Sequence, residues 1–269
     1  FNILATLVLL PMSNVLEFLA TKTIRDKGDE KEGQDAVLQL LDPLFLDKPG
    51  FAIMQCKKVA SSMARMSKES VMEAVSLISE FNDEKAQHVR DIEDKIDGYE
   101  DQLGTYLLRL SERDLSKEDS HTLSTLLHSI GDIERISDLA VDILLGVEQM
   151  HNKEQEFSKK AMEELSIYGK ALEDILDLTF NAFDNNDKEK AALVQPLEDL
   201  MDDLNQELKK RHVKRLRKGK CTVELGLSLS DITDSYERIS DHCSNIAVCI
   251  IQVEEDDMDT HGYLKEVKE

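Results

Sequence analysis

The stretch Asp132-Ile133-Glu134-Arg135-Ile136-Ser137-Asp138 returns further along the chain as Ser235-Tyr236-Glu237-Arg238-Ile239-Ser240-Asp241. From Glu134 to Glu237 is 103 residues. A second pair, Ile92-Glu93-Asp94-Lys95-Ile96-Asp97 and Leu197-Glu198-Asp199-Leu200-Met201-Asp202, is displaced by 105 residues, counted from Glu93 to Glu198. Two separate matches at nearly one offset mark a duplicated unit.

The sequence around these motifs is helical. Between Pro49 and Glu255 it divides into six helix-length pieces, near 50–81, 83–112, 117–149, 153–184, 187–218 and 222–254. In the sixth, Leu225, Leu229, Ile232, Tyr236, Ile239, Cys243, Ile246 and Ile250 alternate spacings of four and three. Val89, Ile92, Ile96, Tyr99, Leu103 and Leu107 do the same in the second. Sustained stripes of this kind belong to long antiparallel helices packed as bundles. The joints carry matching punctuation. Ser116 with Asp119 three residues on resembles a capping box. Asp184-Asn185-Asn186-Asp187 divides the fourth piece from the fifth, and Gly219 stands where a left-handed C-cap is wanted. The expected fold class is therefore all-α: two tandem three-helix bundles, over 50–150 and 151–255.

Composition agrees. The 269 residues include no tryptophan, 5% aromatics, 4 prolines and 11 glycines. That is poor material for a sandwich or barrel, which needs β-branched and aromatic residues and turn chemistry. At 41% hydrophobic the chain can bury a core. Thirty-three basic against 55 acidic side chains leave a net charge of −22, which excludes a general nucleic-acid binder. The four cysteines form no C-x-x-C pair and read as free thiols of a reducing compartment.

Each repeat carries the same four acids: Glu93, Asp97, Glu134 and Asp138 in the first, Glu198, Asp202, Glu237 and Asp241 in the second. Every pair is E-x-x-x-D, which stacks two like charges about 5–6 Å apart on one helix face. Two such pairs on adjoining helices form a four-carboxylate nest that calls for a cation. Spacing alone is weak in so acidic a chain, where a solvated acidic face is the plain alternative; recurrence at equivalent positions favours metal. Glu237 and Asp241 lie off the apolar stripe, so the nests belong in outer grooves. Oxygen-only donors suit magnesium, calcium or manganese.

Other features point to no catalysis. Glu118-x-x-His121 is a single E-x-x-H, whereas di-iron carboxylate bundles need two. No nucleophile has a base set beside it, and no glycine-rich phosphate loop occurs. Lys209, Lys210, Arg211, Lys214, Arg215, Arg217, Lys218 and Lys220 form one basic block. Complementing the C-terminal dipole of the fifth helix is the favoured role for it, ahead of contact with a partner or an anionic membrane. The apolar run Phe1 to Met12 is too short to span a bilayer and reads as the end of a truncated transmembrane helix (1–24); a buried helix of a soluble domain is the alternative. A charged linker (25–49) follows, and 256–269 reads as an acidic tail.

The segments Glu134 to Ile143 and Glu237 to Ile246 resemble the paired signature of the PhoU family, with Ser137 and Ser240 where that family usually has glycine. The resemblance implies two three-helix bundles whose E(D)-x-x-x-D motifs hold iron or zinc clusters on the surface. Leu41–Val59 (LDPLFLDKPGFAIMQCKKV) and Phe1–Pro11 look like the junction and the last membrane helix of bacterial sodium/phosphate cotransporters. The chain is then expected to be a cytoplasmic, metal-binding control module at the inner membrane, attached to the membrane part of the same transporter. A homodimer or a regulatory protein partner would suit it. A soluble PhoU-type adaptor, acting on a phosphate importer or sensor kinase, is the alternative.

Overall fold

A computed structural model describes residues 37–252. The expected membrane-helix end and acidic tail lie outside the described residues, as does the first part of the linker, 25–36. Among the described residues no helix is long and apolar enough to cross a membrane.

From Leu40 onward the described chain is one compact, all-helical unit. Six long helices carry it: α1 (Pro49–Leu77), α2 (Asp83–Ser111), α3 (Lys117–Asn152), α4 (Lys159–Asn185), α5 (Val194–Arg217) and α6 (Val223–Gln252). α1, α3, α6 and α4 pack in a ring, neighbour to neighbour. α2 covers the α1/α3 groove and α5 the α4/α6 groove. The two three-helix repeats thus join along α3 and α6, which run antiparallel. At their crossing a Cβ on Gly146 would lie 3.3 Å from Ile232 Cγ1, so only glycine allows this closeness without displacement.

The stripes become the core. Val89, Ile96, Leu103 and Leu107 of α2 are fully buried, as are Ile232, Tyr236, Ile239, Cys243 and Ile246 of α6. Helix starts follow the side-chain caps. Asn82 accepts from Lys85 N at 2.9 Å, Ser116 from Asp119 N at 3.1 Å and Ser158 from Ala161 N at 3.3 Å. Each satisfies an amide that has no helical partner. Asn186, at φ 51°, ends α4 in the left-handed region, and Gly219, at φ 63°, follows α5.

Three boundaries differ from the sequence reading. α1 stops at Leu77, not 81. Ser76 and Ser79 donate their hydroxyls to backbone carbonyls one turn back, an alternative to continuing the helix. α4 begins at Lys159, not 153, because α3 runs on to Asn152. Glu154 then turns left-handed (φ 52°) and Gln155 N returns to Met150 O at 3.0 Å. The fifth piece is broken into a one-turn helix, Lys188–Ala191, and α5. Pro196 has no N–H to offer the Ala192 carbonyl, and the chain turns there. The linker region also holds structure at its end: Pro43–Asp47 is a 3-10 turn that buries Leu46, and Tyr106 donates its hydroxyl to Asp42 O at 3.0 Å.

Candidate metal centres

Glu93 and Asp97 lie on α2, Glu134 and Asp138 on α3, and the four meet in the outer α2/α3 groove. Glu198 and Asp202 of α5 meet Asp241 of α6 in the equivalent groove of the second repeat. One oxygen each from Glu93, Asp97 and Asp138 lie within 4.8 Å of one another, and Glu198, Asp202 and Asp241 do the same. Each repeat therefore gathers three of its four acids into a cluster of all-oxygen donors, a set that fits a hard cation.

The clusters are electrostatically unfavourable without a counter-charge. Burial and then Asp97 push Glu93 up, while burial and then Asp138 push Asp97 up. Glu198 rises through burial, Asp202 and Asp241. Asp241 rises through burial and Asp202. Glu134 is displaced furthest, to about 7, by burial and then by Asp138.

The fourth acid of each nest has a cation of the chain itself as a neighbour, and the two repeats supply it differently. Arg135 Nη1 donates to Asp138 Oδ2 at 2.8 Å, and its Nε lies 3.4 Å from Glu134. In the second repeat Asn205 donates its amide to Glu237, and Lys209 sits 3.9 Å from Glu237 and 2.6 Å from Asp234. These partners moderate the rise of Glu237, which burial dominates. Counting back 105 residues, the place of Lys209 falls to Gly104 in the first repeat, which offers no cation. Arg238, the counterpart of Arg135, still draws Asp241 of its own nest down. It crosses the repeat boundary to Asp142, at 3.7 Å, and lines the first groove. None of these partners was singled out from sequence. Lys209 belonged to the basic block, and only the E-R-I-S-D repetition hinted at the arginines.

His242 is structural: its Nδ1 lies 2.7 Å from Asp132 Oδ1 across the α3/α6 seam, and Asn245 donates to the same oxygen at 3.2 Å. The basic block holds α5 in place. Arg215 pairs with Glu164 of α4 at 2.5 Å, and Arg211 lies 3.6 Å from the same carboxylate. It stands at the end of the bundle opposite the start of α1.

The PhoU domain model matches twice, over residues 60–146 and 165–250. The chain belongs to the PhoU family. Each PhoU match spans one repeat and ends inside α3 or α6, past the E-R-I-S-D motif. A relative, "Phosphate-specific transport system accessory protein PhoU homolog 1" of Thermotoga maritima, is 25% identical over 201 residues, 74% of this chain and 85% of the relative. The crystal structure of PhoU from Pseudomonas aeruginosa aligns with a TM-score of 0.70 at 22% identity, covering 76% of this chain and 97% of that one. The phosphate transport system regulatory protein PhoU from Streptococcus pneumoniae also aligns at 0.70, with 18% identity, covering 77% and 97%. These two establish the PhoU fold here.

Proposed function

We propose that this PhoU-family chain is a regulatory module of phosphate uptake whose two carboxylate nests hold cations. The observation that carries the reading is recurrence: the same three acids, at equivalent places, converge in both repeats. Glu93, Asp97 and Asp138 would hold the first cation, with Glu134 reaching in once Arg135 moves aside. Glu198, Asp202 and Asp241 would hold the second, with Glu237 beside them. A bound cation would supply charge neutralisation and pin α2 to α3, and α5 to α6. The family resemblance suggests iron or zinc, and the all-oxygen donor set also suits magnesium, calcium or manganese. The module binds and signals; it does not catalyse.

The test is elemental analysis of the purified protein, before and after EDTA and reloading. Binding at the nests requires Asp138→Asn with Asp241→Asn to lose most of the bound metal. Unchanged metal content in that variant, or no metal bound by the wild type, refutes the reading.

We further propose that the module is the cytoplasmic part of a sodium-dependent phosphate transporter at the inner membrane. Support comes from the sequence of Phe1–Pro11 and Leu41–Val59. One observation favours a free-standing adaptor instead: about three quarters of this chain covers 97% of each PhoU structure compared. Membrane fractionation of the endogenous protein decides. Extraction by carbonate or salt alone would refute the transporter reading, and retention until detergent is added would refute the adaptor.

A further inference from the structure

The two nests carry the same acids, but different groups touch them. In the first, Asp138 is one of the three clustered acids, and it is directly bonded. Arg135 Nη1 donates to its Oδ2 at 2.8 Å, while Arg135 Nε stands 3.4 Å from Glu134. One guanidinium therefore spans both α3 acids, and it lines the groove with them. Arginine stays charged at every working pH. A fixed positive charge thus stands beside the place where a cation would enter.

Neutral amides touch the second nest instead. Gln195 donates to Glu198 and accepts from the Ser244 hydroxyl at 2.9 Å. Asn205, 2% exposed, donates to Glu237. Arg238 makes its ion pair with Asp142, at 3.7 Å, and acts on Asp241 through space, without a hydrogen bond. Lys209 lies 3.9 Å from Glu237, which is outside the three-acid cluster, and closer to Asp234, at 2.6 Å. The repeats explain the difference. Moved by 103 residues, Asp142 becomes Asn245. Arg135 therefore has no equivalent carboxylate across the seam and stays on its own nest.

We propose that Arg135 is a resident counter-ion of the first nest, which an incoming divalent cation must displace, so that the second nest fills first and more tightly. The inference rests on the cation-binding reading of the nests and adds an order to it. Arg135 is 60% exposed, so its guanidinium can swing into water without disturbing α3. It is a positioning residue, acting on the cation through Asp138 and Glu134. The module would then keep one site filled while the other follows cation concentration.

The experiment is calorimetric titration of the EDTA-stripped full chain with Mn²⁺ and, separately, Zn²⁺, in two single-nest proteins. Asp241→Asn leaves the first nest whole, and Asp138→Asn leaves the second. The second nest should bind about tenfold more tightly, since no guanidinium opposes the cation there. Adding Arg135→Gln to Asp241→Asn should tighten the first nest by about fivefold, whereas Arg135→Lys, which keeps the charge, should leave it weak. The same Arg135→Gln change in Asp138→Asn should leave the second nest unchanged, which a merely structural role would not require. Equal affinities, a tighter first nest, or a first nest indifferent to Arg135→Gln overturns the proposal while cation binding stands. Absence of binding by either metal in both proteins overturns the cation reading and this proposal with it.

Discussion

Replacing Glu134 by glutamine should stabilise the metal-free protein, increasingly as pH rises from 4.5 through about 7. The carboxyl sits at about 7 instead of its ordinary 4.5, through burial first and Asp138 second. At about 1.4 kcal/mol per pH unit, that displacement costs the folded state on the order of 3 kcal/mol once the group is ionised. The side chain is 18% exposed. Solvent screening therefore reduces the expected effect to about 1–2 kcal/mol. Below pH 4.5 the carboxyl is protonated in both folded and unfolded chains and the stability is intact. Above it the unfolded chain ionises first, and stability is lost progressively as pH rises through about 7. The assay is urea unfolding of EDTA-treated wild type and Glu134→Gln at pH 5 and pH 8. Glu93 and Asp97 move in the same direction, but they are present in both proteins, so the difference isolates Glu134. The variant should exceed wild type by about 1–2 kcal/mol at pH 8 and by much less at pH 5. An equal difference at both pH values, or a variant weaker than wild type at pH 8, refutes the reasoning.

Three further outcomes follow from the packing. Gly146→Val drives methyl groups into Ile232 at the α3/α6 crossing and should cost about 1–3 kcal/mol in chemical denaturation. Arg215→Met leaves Glu164, whose side chain is 15% exposed, without its close partner; a loss of about 1–3 kcal/mol is expected, and a neutral result would show that Arg211 suffices. Ser116→Ala removes the cap of α3 and should lower stability by about 1 kcal/mol, with amide exchange faster at Asp119.

The architecture was legible because it is periodic and repeated. The stripes of α2 and α6 named their own core, and the offset of about one hundred residues placed equivalent acids on equivalent helices. Local punctuation worked where the residue type was diagnostic, as at Ser116, Asn186 and Gly219. It failed at Glu154, because glutamate is an unusual choice for a left-handed position and leaves no mark in the sequence. Pro196 was visible, but its consequence, the break at Ala192, was not drawn. The nests were legible as sets of acids but not as charge-compensated groups. The Asn205–Glu237 contact depends on how α5 is turned against α6. Arg238 reaching Asp142 depends on how one repeat lies on the other. Neither is encoded by spacing within a helix.

The pairing of Asp132 with His242 has a consequence for symmetry. Were the repeats two identical subunits about a dyad, every contact across the seam would have a twin. Moved by 103 residues, Asp132 becomes Ser235 and His242 falls back to Leu139, so this pair has no counterpart. Asp142 likewise becomes Asn245, which cannot serve an arginine as a carboxylate does. Joining the two halves in one chain has released them from having to match. The halves keep the same acids but surround them with different cations, and each groove is tuned on its own. One polypeptide thus presents a graded pair of acidic sites, which a symmetric dimer of either half could not do.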